Sequence, residues 1–312
     1  MRVMLFGGTD LTVAIADCLR DMAFPIASVL HVPQRFPISY ERGQMHNARH
    51  VDMDRWCAAA GVPGRTYDGP VAAAAFAAET GAEFALVAGW FHILPRSLRQ
   101  RFSFGCAGLH ASLLPAFRGG APLPWAVLSQ AKETGISLFE LGDGIDDGRL
   151  YGQRRVPMGP RVRVGELVVA VQAAAVELVG ECLPEIAAGR LRPIPQTGTA
   201  SYSLQRAPAD GHIDWSRSAD HIDRLIRAVS APYPGAFSRL DESRITIWEA
   251  EPLQGIEVFG SPGQIARLPE EVDPCVVTGY GTLIIRSATD DVGESALPML
   301  RSAANRRFVG AV

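Results

Sequence analysis

A histidine, a serine and an aspartate lie close together in the sequence, between Gly108 and Asp147. His110 precedes the irregular segment Ser112-Leu113-Leu114-Pro115, and Asp146 lies in a Gly-Ile-Asp-Asp-Gly cluster that favours a turn. Each residue alone has an ordinary structural explanation, as a core histidine or a turn aspartate. Together, on loops that flank strands, they are the residue types with which an α/β enzyme builds an acid–base site.

The spacing of further residues in this stretch forms a specific pattern. Its fixed positions are His110, Ser112-Leu113-Leu114-Pro115, Arg118-Gly119, Pro122, Trp125, Thr134-Gly135, Asp146 and Gly148. The pattern resembles that of the formyltransferase family that takes its one-carbon unit from 10-formyltetrahydrofolate. This family includes methionyl-tRNA formyltransferases, glycinamide ribonucleotide transformylases and amino-sugar N-formyltransferases. So many fixed positions are a far more specific signal than a lone glycine motif.

The resemblance implies transfer of a formyl group to an unprotonated primary amine, through a tetrahedral oxyanion from which tetrahydrofolate leaves. It also implies that His110 donates a hydrogen bond to the oxyanion and moves a proton. Asp146 would orient the imidazole or, through a water, accept the proton that the amine loses. Each such acid–base role is worth on the order of 10²–10⁴-fold in rate. The neighbouring Asp147 is predicted to be a solvated turn residue.

Gly108 departs from the family pattern, which has an asparagine two residues before the histidine. The resemblance implies that the asparagine amide helps to hold the formyl oxygen, and one such donor is worth about 3 kcal/mol. Gly108 is therefore counted with the catalytic positions, because either another donor replaces the amide or the chemistry is slower or different. A catalytically impaired folate- or ligand-binding module of the same fold, or a different one-carbon or acyl donor, stays open as an alternative.

Three loops are expected to hold the folate. The segment 89–95 carries two aromatic and two aliphatic residues, which could simply be core. The resemblance implies that this segment holds the pterin ring, for which an apolar slot with backbone hydrogen bonds is suitable. It also implies that the serine-containing loop and the turn that begins at Leu141 contact the folate. The predicted folate-binding residues are Trp90, Phe91, Ile93, Leu94, Ser112, Leu113, Leu114, Pro115, Leu141, Gly142, Asp143 and Gly144. His92, in the first loop, is predicted to point outward.

The elements around these loops predict an α/β fold with a doubly wound, mostly parallel sheet. Apolar runs at 2–6, 26–31 and 84–88 alternate with helical patterns at 11–22, 51–60 and 71–80. A helix over 122–130, a strand over 136–141 and a long apolar helix over 164–188 are expected to follow. Residues 33–50 are polar and are predicted to form a surface loop.

The turn after the first strand, Gly7-Gly8-Thr9, is not a G-x-G-x-x-G motif, so no nucleotide cofactor is indicated. It is either a tight strand-to-helix turn or a substrate edge, because ligands bind at the carboxyl ends of strands in such sheets. On the second interpretation, Gly7, Gly8 and Thr9 contact the substrate, together with Arg118 behind the serine-containing loop.

The character of the sequence changes after residue 190. Residues 191–206 have the composition of a linker, and short strands with glycine turns between 237 and 287 predict a small barrel. Asp214-Trp215 and Pro234-Gly235-Ala236-Phe237 resemble the C-terminal domain of methionyl-tRNA formyltransferases and related sugar enzymes, which is an OB-like β-barrel. The predicted domains are a catalytic domain over 1–190, a linker over 191–206 and an OB-like domain over 207–312.

Composition limits the partners of this 312-residue chain. A net charge of −3 without a cluster of Lys or Arg argues against general nucleic-acid binding. The five cysteines are scattered, which fits a reducing compartment and predicts neither a disulfide framework nor a metal site. We expect a cytoplasmic enzyme without a membrane span.

The preferred substrate is a small amine, such as a nucleotide-linked amino sugar or a natural-product amine. Methionyl-tRNA is the alternative, although residues 32–50 contain no basic run, and the oligomeric state is open.

Overall fold

The computed structural model describes residues 1–38 and 44–309, and these fold into two compact units. The first unit contains Met1–Pro122, Lys132–Met158 and Val168–Leu204. The second contains Leu123–Ala131, Gly159–Leu167 and the chain from Gln205 onward. Two short internal segments thus group with the C-terminal part of the chain. The predicted domain limits at residues 190 and 206 stay a prediction.

A seven-stranded sheet forms the centre of the first unit, in the order β10-β9-β7-β6-β1-β2-β5. The strands of this unit are β1 (Val3–Gly7), β2 (Ile26–His31), β3 (Arg35–Pro37), β4 (Gln44–His46), β5 (Gly64–Thr66), β6 (Phe84–Val87), β7 (Cys106–His110), β8 (Arg118–Gly119), β9 (Glu133–Glu140), β10 (Leu150–Pro157) and β11 (Tyr202–Ser203). Its helices are α1 (Asp10–Asp21), α2 (Met53–Ala60), α3 (Gly69–Thr80), α4 (Arg96–Arg99), and parts of α5 (Pro122–Leu128) and α6 (Val164–Ala187).

The central strands are parallel, and the last two are not. β1, β2, β5, β6 and β7 run in the same direction, whereas β9 is antiparallel to β7 and β10 is antiparallel to β9. Every residue of β1 is buried, as a strand covered on both faces requires. The predicted mostly parallel, doubly wound sheet is therefore confirmed. Its parallel strands end at one edge, where ligands bind in sheets of this kind.

Local sequence signals explain where several helices begin and end. The side chain of Asp52 caps α2 by accepting a hydrogen bond from the Arg55 amide at 3.0 Å. Gly61 and Gly81 end α2 and α3 in the left-handed conformation, which glycine adopts without steric cost. The interior of α6 is apolar, and Leu178 and Cys182 lie against Gly152 of β10.

Three sequence-based expectations differ from the structure. His110 was expected on a loop, but it is the last residue of β7, because Cys-Ala-Gly-Leu-His is a strand without β-branched residues to indicate it. The edge strand β10 was not predicted, since its middle is polar. Within the expected surface loop at 33–50, β3 and β4 pair as a short hairpin. Residues 39–43 of that loop lie outside the described residues.

One helix among the described residues, α6, is long and apolar enough to cross a membrane by length and composition. Half of its most apolar stretch is buried inside the fold, as is usual for the core helix of a globular protein. Gly180 of α6 faces the sulfur atoms of Cys18 and Met22, so one side of the helix packs on the end of α1.

A five-stranded antiparallel sheet forms the second unit, in the order β12-β13-β16-β15-β14. Its elements are α7 (Ala219–Val229), β12 (Ala236–Leu240), β13 (Ser243–Pro252), β14 (Ile265–Ala266), β15 (Cys275–Val277), β16 (Thr282–Thr289) and α8 (Leu297–Ser302). The segment 306–309 reaches both sheet edges, because Val309 bridges to Arg239 and Arg307 bridges to Gln264. The sheet thereby curls into a half-barrel, and the predicted small barrel at the C-terminal end of the chain is confirmed.

Candidate active site

The end of β7 holds the imidazole of His110, which is 8% exposed. Its Nε2 atom lies 2.7 Å from the carbonyl oxygen of Phe117, which can only accept a hydrogen bond, so Nε2 carries a proton. Its Nδ1 atom lies 3.4 Å from Oδ2 of Asp146. The ring is thus held between a backbone carbonyl and a carboxylate, and Nδ1 is the nitrogen that can gain or lose a proton.

Asp146 lies in a left-handed turn, with φ of 47°. Its Oδ2 atom accepts a hydrogen bond from the amide of Gly119 at 2.8 Å, which holds the carboxylate toward His110. A Cβ atom at Gly148 would overlap the carbonyl oxygen of Glu140, so only glycine lets the turn close there. The structure therefore brings together the predicted His110 and Asp146, and the turn places Asp147 in solvent, as expected.

The segment predicted to be a linker packs on this site. β11 pairs with β8, directly behind Phe117. Ser201 accepts a hydrogen bond from the Phe117 amide at 2.9 Å, and the hydroxyl of Ser203 donates to the Phe117 carbonyl at 3.2 Å. Phe117 has a φ of 54°, which is uncommon for a bulky residue, and these contacts hold it in that conformation.

Arg118, predicted to bind substrate, faces the same segment. Its guanidinium donates to Oε1 of Gln196 at 2.7 and 3.2 Å, and to the hydroxyl of Tyr202 at 3.4 Å. These contacts are intramolecular, and a contact between Arg118 and the substrate stays a prediction.

The serine-containing loop is fixed to the sheet by hydrogen bonds that the motif alone does not reveal. Ser112 is fully buried and donates to the carbonyl of Ala116 at 2.5 Å. The hydroxyl of Ser137, on β9, donates to the Ser112 carbonyl at 2.7 Å and accepts from the Leu114 amide at 3.1 Å. Gln153, on β10, donates to the Leu114 carbonyl at 2.9 Å. These hydrogen bonds tie the loop of Leu113, Leu114 and Pro115 to the sheet, and contact of Ser112 to Pro115 with the folate stays a prediction.

Two of the predicted folate loops are joined by Arg99, at the end of α4. Its Nε donates to the Leu94 carbonyl at 3.1 Å, and its NH1 donates to the Leu141 carbonyl at 2.8 Å. Its NH2 forms an ion pair with Asp143. The structure thus brings the loop at 89–95 next to the turn at 141–144, and their shared role in folate binding stays a prediction.

The loop at 89–95 has features that suit a flat heterocyclic ligand. The side chain of Ile93 is 68% exposed, which is unusual for a large apolar residue, whereas Leu94 is buried. The indole nitrogen of Trp90 is buried and has no hydrogen-bond partner among the described residues, which leaves this donor unsatisfied. Phe91 packs on Phe36 with ring centroids 5.3 Å apart. Binding of the folate by these residues stays a prediction.

His92 does not point outward, contrary to expectation. Its ring lies 4.7 Å from that of Tyr67, 5.3 Å from Phe36 and 5.4 Å from Trp90, between centroids. Burial among these rings lowers the pKa of His92. The sequence gives no sign of this contact, because Phe36 and Tyr67 lie on distant segments.

Gly108 has apolar neighbours where a side chain would project. A Cβ atom there would lie 2.9 Å from Cδ2 of Leu141 and 3.2 Å from Cε1 of Phe139. The space of the family asparagine is therefore filled by carbon atoms. Gly108 contributes backbone only, and its catalytic role stays a prediction.

Gly7, Gly8 and Thr9 are covered by protein. A Cβ atom at Gly7 would overlap Thr12 and the Ala88 carbonyl, so close packing of two turns requires a glycine there. The carbonyl of Gly8 accepts from the side-chain amide of Asn47 at 2.8 Å. These contacts support the tight-turn interpretation, and contact with the substrate stays a prediction.

Metal and thiol chemistry find no support among the described residues. No group of three or more His, Cys, Asp and Glu side chains within 1–38 and 44–309 is placed to hold a metal ion. Burial raises the pKa of the Cys57 thiol to about 11 and that of Cys106 to about 12, which disfavours a reactive thiolate.

Comparison with known proteins identifies the family. The formyl transferase profile matches residues 3–183, and the profile of the formyl transferase C-terminal domain matches residues 206–296. The chain belongs to the formyl transferase family. This confirms the sequence-based assignment, with an enzymatic function in one-carbon transfer and 10-formyltetrahydrofolate as co-substrate.

Similar sequences are methionyl-tRNA formyltransferases. That of Sorangium cellulosum is 37% identical over 219 residues, which cover 70% of each chain. That of Marinobacter nauticus is 32% identical over 294 residues, which cover 92% of this chain and 91% of the relative.

Similar solved structures show the same fold at lower identity. HypX from Aquifex aeolicus, in complex with tetrahydrofolic acid, has a TM-score of 0.67 at 18% identity, over 95% of this chain and 45% of HypX. An N-formyltransferase from Helicobacter canadensis, in complex with folinic acid and dTDP-3-aminofucose, has a TM-score of 0.64 at 14% identity, over 91% of this chain and 98% of that enzyme.

Proposed function

We propose that this protein transfers the formyl group of 10-formyltetrahydrofolate to a primary amine of a small molecule, such as a nucleotide-linked amino sugar or a natural-product amine. The observation that carries the choice of substrate is the negative charge of the second unit. The observation that supports the chemistry is the arrangement of His110 and Asp146.

The acid–base pair supports amine formylation as follows. The amine nitrogen bonds to the formyl carbon, one amine proton leaves, and the bond between that carbon and the folate nitrogen breaks. His110 can take up a proton at Nδ1, which faces Asp146, while Nε2 keeps its hydrogen bond to the Phe117 carbonyl oxygen. The proton can then pass to the departing folate nitrogen, which balances the reaction.

The formal charge of the chain from residue 205 onward is net negative, which supports a small amine over tRNA as the substrate. From residue 205 onward the chain contains 11 arginines, no lysine and 15 aspartates and glutamates. Many of these arginines are bound to carboxylates, which reduces the positive potential that they offer to phosphates. These ion pairs are Arg217–Asp214, Arg227–Asp223, Arg286 with Glu251, Glu271 and Asp273, Arg301–Asp273 and Arg306–Asp241.

Methionyl-tRNA is the second candidate substrate. It is favoured by similarity to methionyl-tRNA formyltransferases that extends over both domains, as with the Marinobacter nauticus relative. Both candidates would receive the formyl group from 10-formyltetrahydrofolate, and they differ only in the molecule that carries the amine.

A side-by-side assay distinguishes the substrates. Formylation of charged initiator tRNA and of nucleotide-linked amino sugars is measured at physiological salt, with the Marinobacter nauticus enzyme as the positive control for tRNA. We expect weak tRNA binding and a kcat/KM for tRNA at least about tenfold below that for the best small amine. Tight, salt-dependent tRNA binding with efficient formylation would overturn the proposal, since phosphate contacts produce that salt dependence.

A further inference from the structure

The side-chain amide of Gln196 lies between Arg118 and the turn that carries Asp146. Its Nε2 atom donates to the carbonyl oxygens of Asp146 and Gly148, both at 2.7 Å. Its Oε1 atom accepts from Nε and NH2 of Arg118, at 3.2 and 2.7 Å. A glutamine amide has two N–H donors and two acceptor lone pairs, so all of its hydrogen-bonding capacity is used.

This arrangement assigns the orientation of the amide. The guanidinium of Arg118 offers only donors and the two backbone carbonyls offer only acceptors, so the oxygen must face Arg118 and the nitrogen must face the turn. Glutamate could keep the contact with Arg118 but would place a carboxylate against two carbonyl oxygens. Asparagine, one methylene shorter, could not span the same distance.

Gln196 holds the backbone of Asp146, and the conformation of that backbone determines where the carboxylate points. The backbone of Asp146 is left-handed, a conformation that residues other than glycine seldom adopt. Gln196 fixes the carbonyl of that residue, while the amide of Gly119 fixes its Oδ2 atom. The Gly119 amide follows Arg118 in the chain, so one side chain links both supports of the carboxylate.

We propose that Gln196 is a positioning residue for catalysis, which holds Asp146 in the conformation that faces His110. The inference rests on the proposed function, because it takes the histidine and the aspartate to be the acid–base pair. It assigns a role in the reaction to a segment whose composition predicts only a linker. Gln196 does not contact the reacting groups in this arrangement, and its effect passes through Asp146.

The test is a double-mutant cycle on the full-length protein. Gln196→Ala and Gln196→Glu are made in the natural sequence and in Asp146→Asn, with kcat and KM for 10-formyltetrahydrofolate measured for each. In the natural background we expect kcat to fall about tenfold to a hundredfold, since small misplacements of catalytic groups cost that much, with KM changed by less than about threefold. In Asp146→Asn the same substitutions should cost less than about twofold, because residues that act as a unit are not additive.

The matched control is Thr199→Ala, an exposed position on the same segment, which should leave kcat unchanged. Melting curves establish that each variant is folded, and if Gln196→Ala does not fold, Gln196→Glu decides. No loss of kcat, or an equal loss in both backgrounds, would overturn the inference and leave the proposed function standing. Full activity of Asp146→Asn alone would instead overturn the proposed function, and this inference with it.

Discussion

The Nε2 atom of His110 donates a hydrogen bond to the carbonyl oxygen of Phe117 at 2.7 Å. The family resemblance leads one to expect that the imidazole donates to the formyl oxygen, but in this arrangement that N–H is directed to the backbone. The nitrogen that remains for proton transfer is Nδ1, which faces Asp146. The geometry thus favours an acid–base role for His110 over direct stabilisation of the oxyanion.

The first prediction concerns this pair. His110→Ala and Asp146→Asn should each lower formyl transfer by on the order of 10²-fold or more, because each removes one partner of the proton-transfer pair. Steady-state rates with 10-formyltetrahydrofolate measure the effect, and melting curves verify folding. Asp147→Asn, at the exposed neighbouring position, is the matched control and should keep its activity. Near-normal turnover in both site variants would contradict the assignment.

The second prediction concerns Gly108. Gly108→Asn should lower both turnover and melting temperature, because its side chain would collide with Leu141 and Phe139, and overpacking typically costs about 1–3 kcal/mol. Adding Leu141→Ala should restore part of the stability, since it removes the nearest atom. Leu141→Ala alone is the control for the effect of the cavity. A rise in turnover of Gly108→Asn alone would contradict this prediction and show that the site lacks a hydrogen-bond donor for the oxyanion.

The third prediction concerns Arg99. Arg99→Met should raise the KM for 10-formyltetrahydrofolate by about tenfold or more. The substitution removes the guanidinium that holds the loop at 89–95 against the turn at 141–144 through three contacts. Stabilisation of the variant by 5-formyltetrahydrofolate should shrink in the same way, as a ligand raises the melting temperature according to its affinity. Arg96→Met, at an exposed position on the same short helix, is the control. Unchanged donor affinity in Arg99→Met would exclude this role.

The fourth prediction concerns pH. Burial lowers the pKa of His92, so the folded state binds this proton less readily than the unfolded chain does. Its contribution to stability is therefore complete above the ordinary histidine pKa of about 6.5 and is lost as pH falls below that value. His92→Phe keeps a ring in the cluster, and its melting temperature should fall less than that of the unchanged protein between about pH 7 and about pH 5. Replacement of the exposed His46 by Phe is the control, and equal slopes in all three proteins would refute the prediction.

The sequence indicated β1, β2 and β6, because they are short apolar runs separated by helical patterns. It did not indicate β5, a strand of three exposed residues. β7 and β10 were missed for opposite reasons. The first has small residues with weak strand preference, and the second is a polar edge strand whose position depends on pairing with β9.

The motif also indicated His110 and Asp146, because it is defined by residue types at fixed spacings along the sequence. It did not indicate Phe117, Ser137, Arg99 or Gln196. The first acts through its carbonyl oxygen, which every residue type possesses. The others are recognisable only from their partners in space, such as the carbonyls of Leu94 and Leu141 that Arg99 joins. Composition alone described residues 191–206 as a linker, whereas tertiary hydrogen bonds hold part of this segment against the site.

The measurement that tests the account most directly is transfer of isotope-labelled formyl from 10-formyltetrahydrofolate to primary amines, with the unchanged protein and Asp146→Asn compared in parallel. The amines are nucleotide-linked amino sugars and charged initiator tRNA. We predict labelled N-formyl product from a small amine with the unchanged protein, and on the order of 10²-fold less with the variant. Absence of labelled product from every amine, or equal amounts from both proteins, would contradict the account.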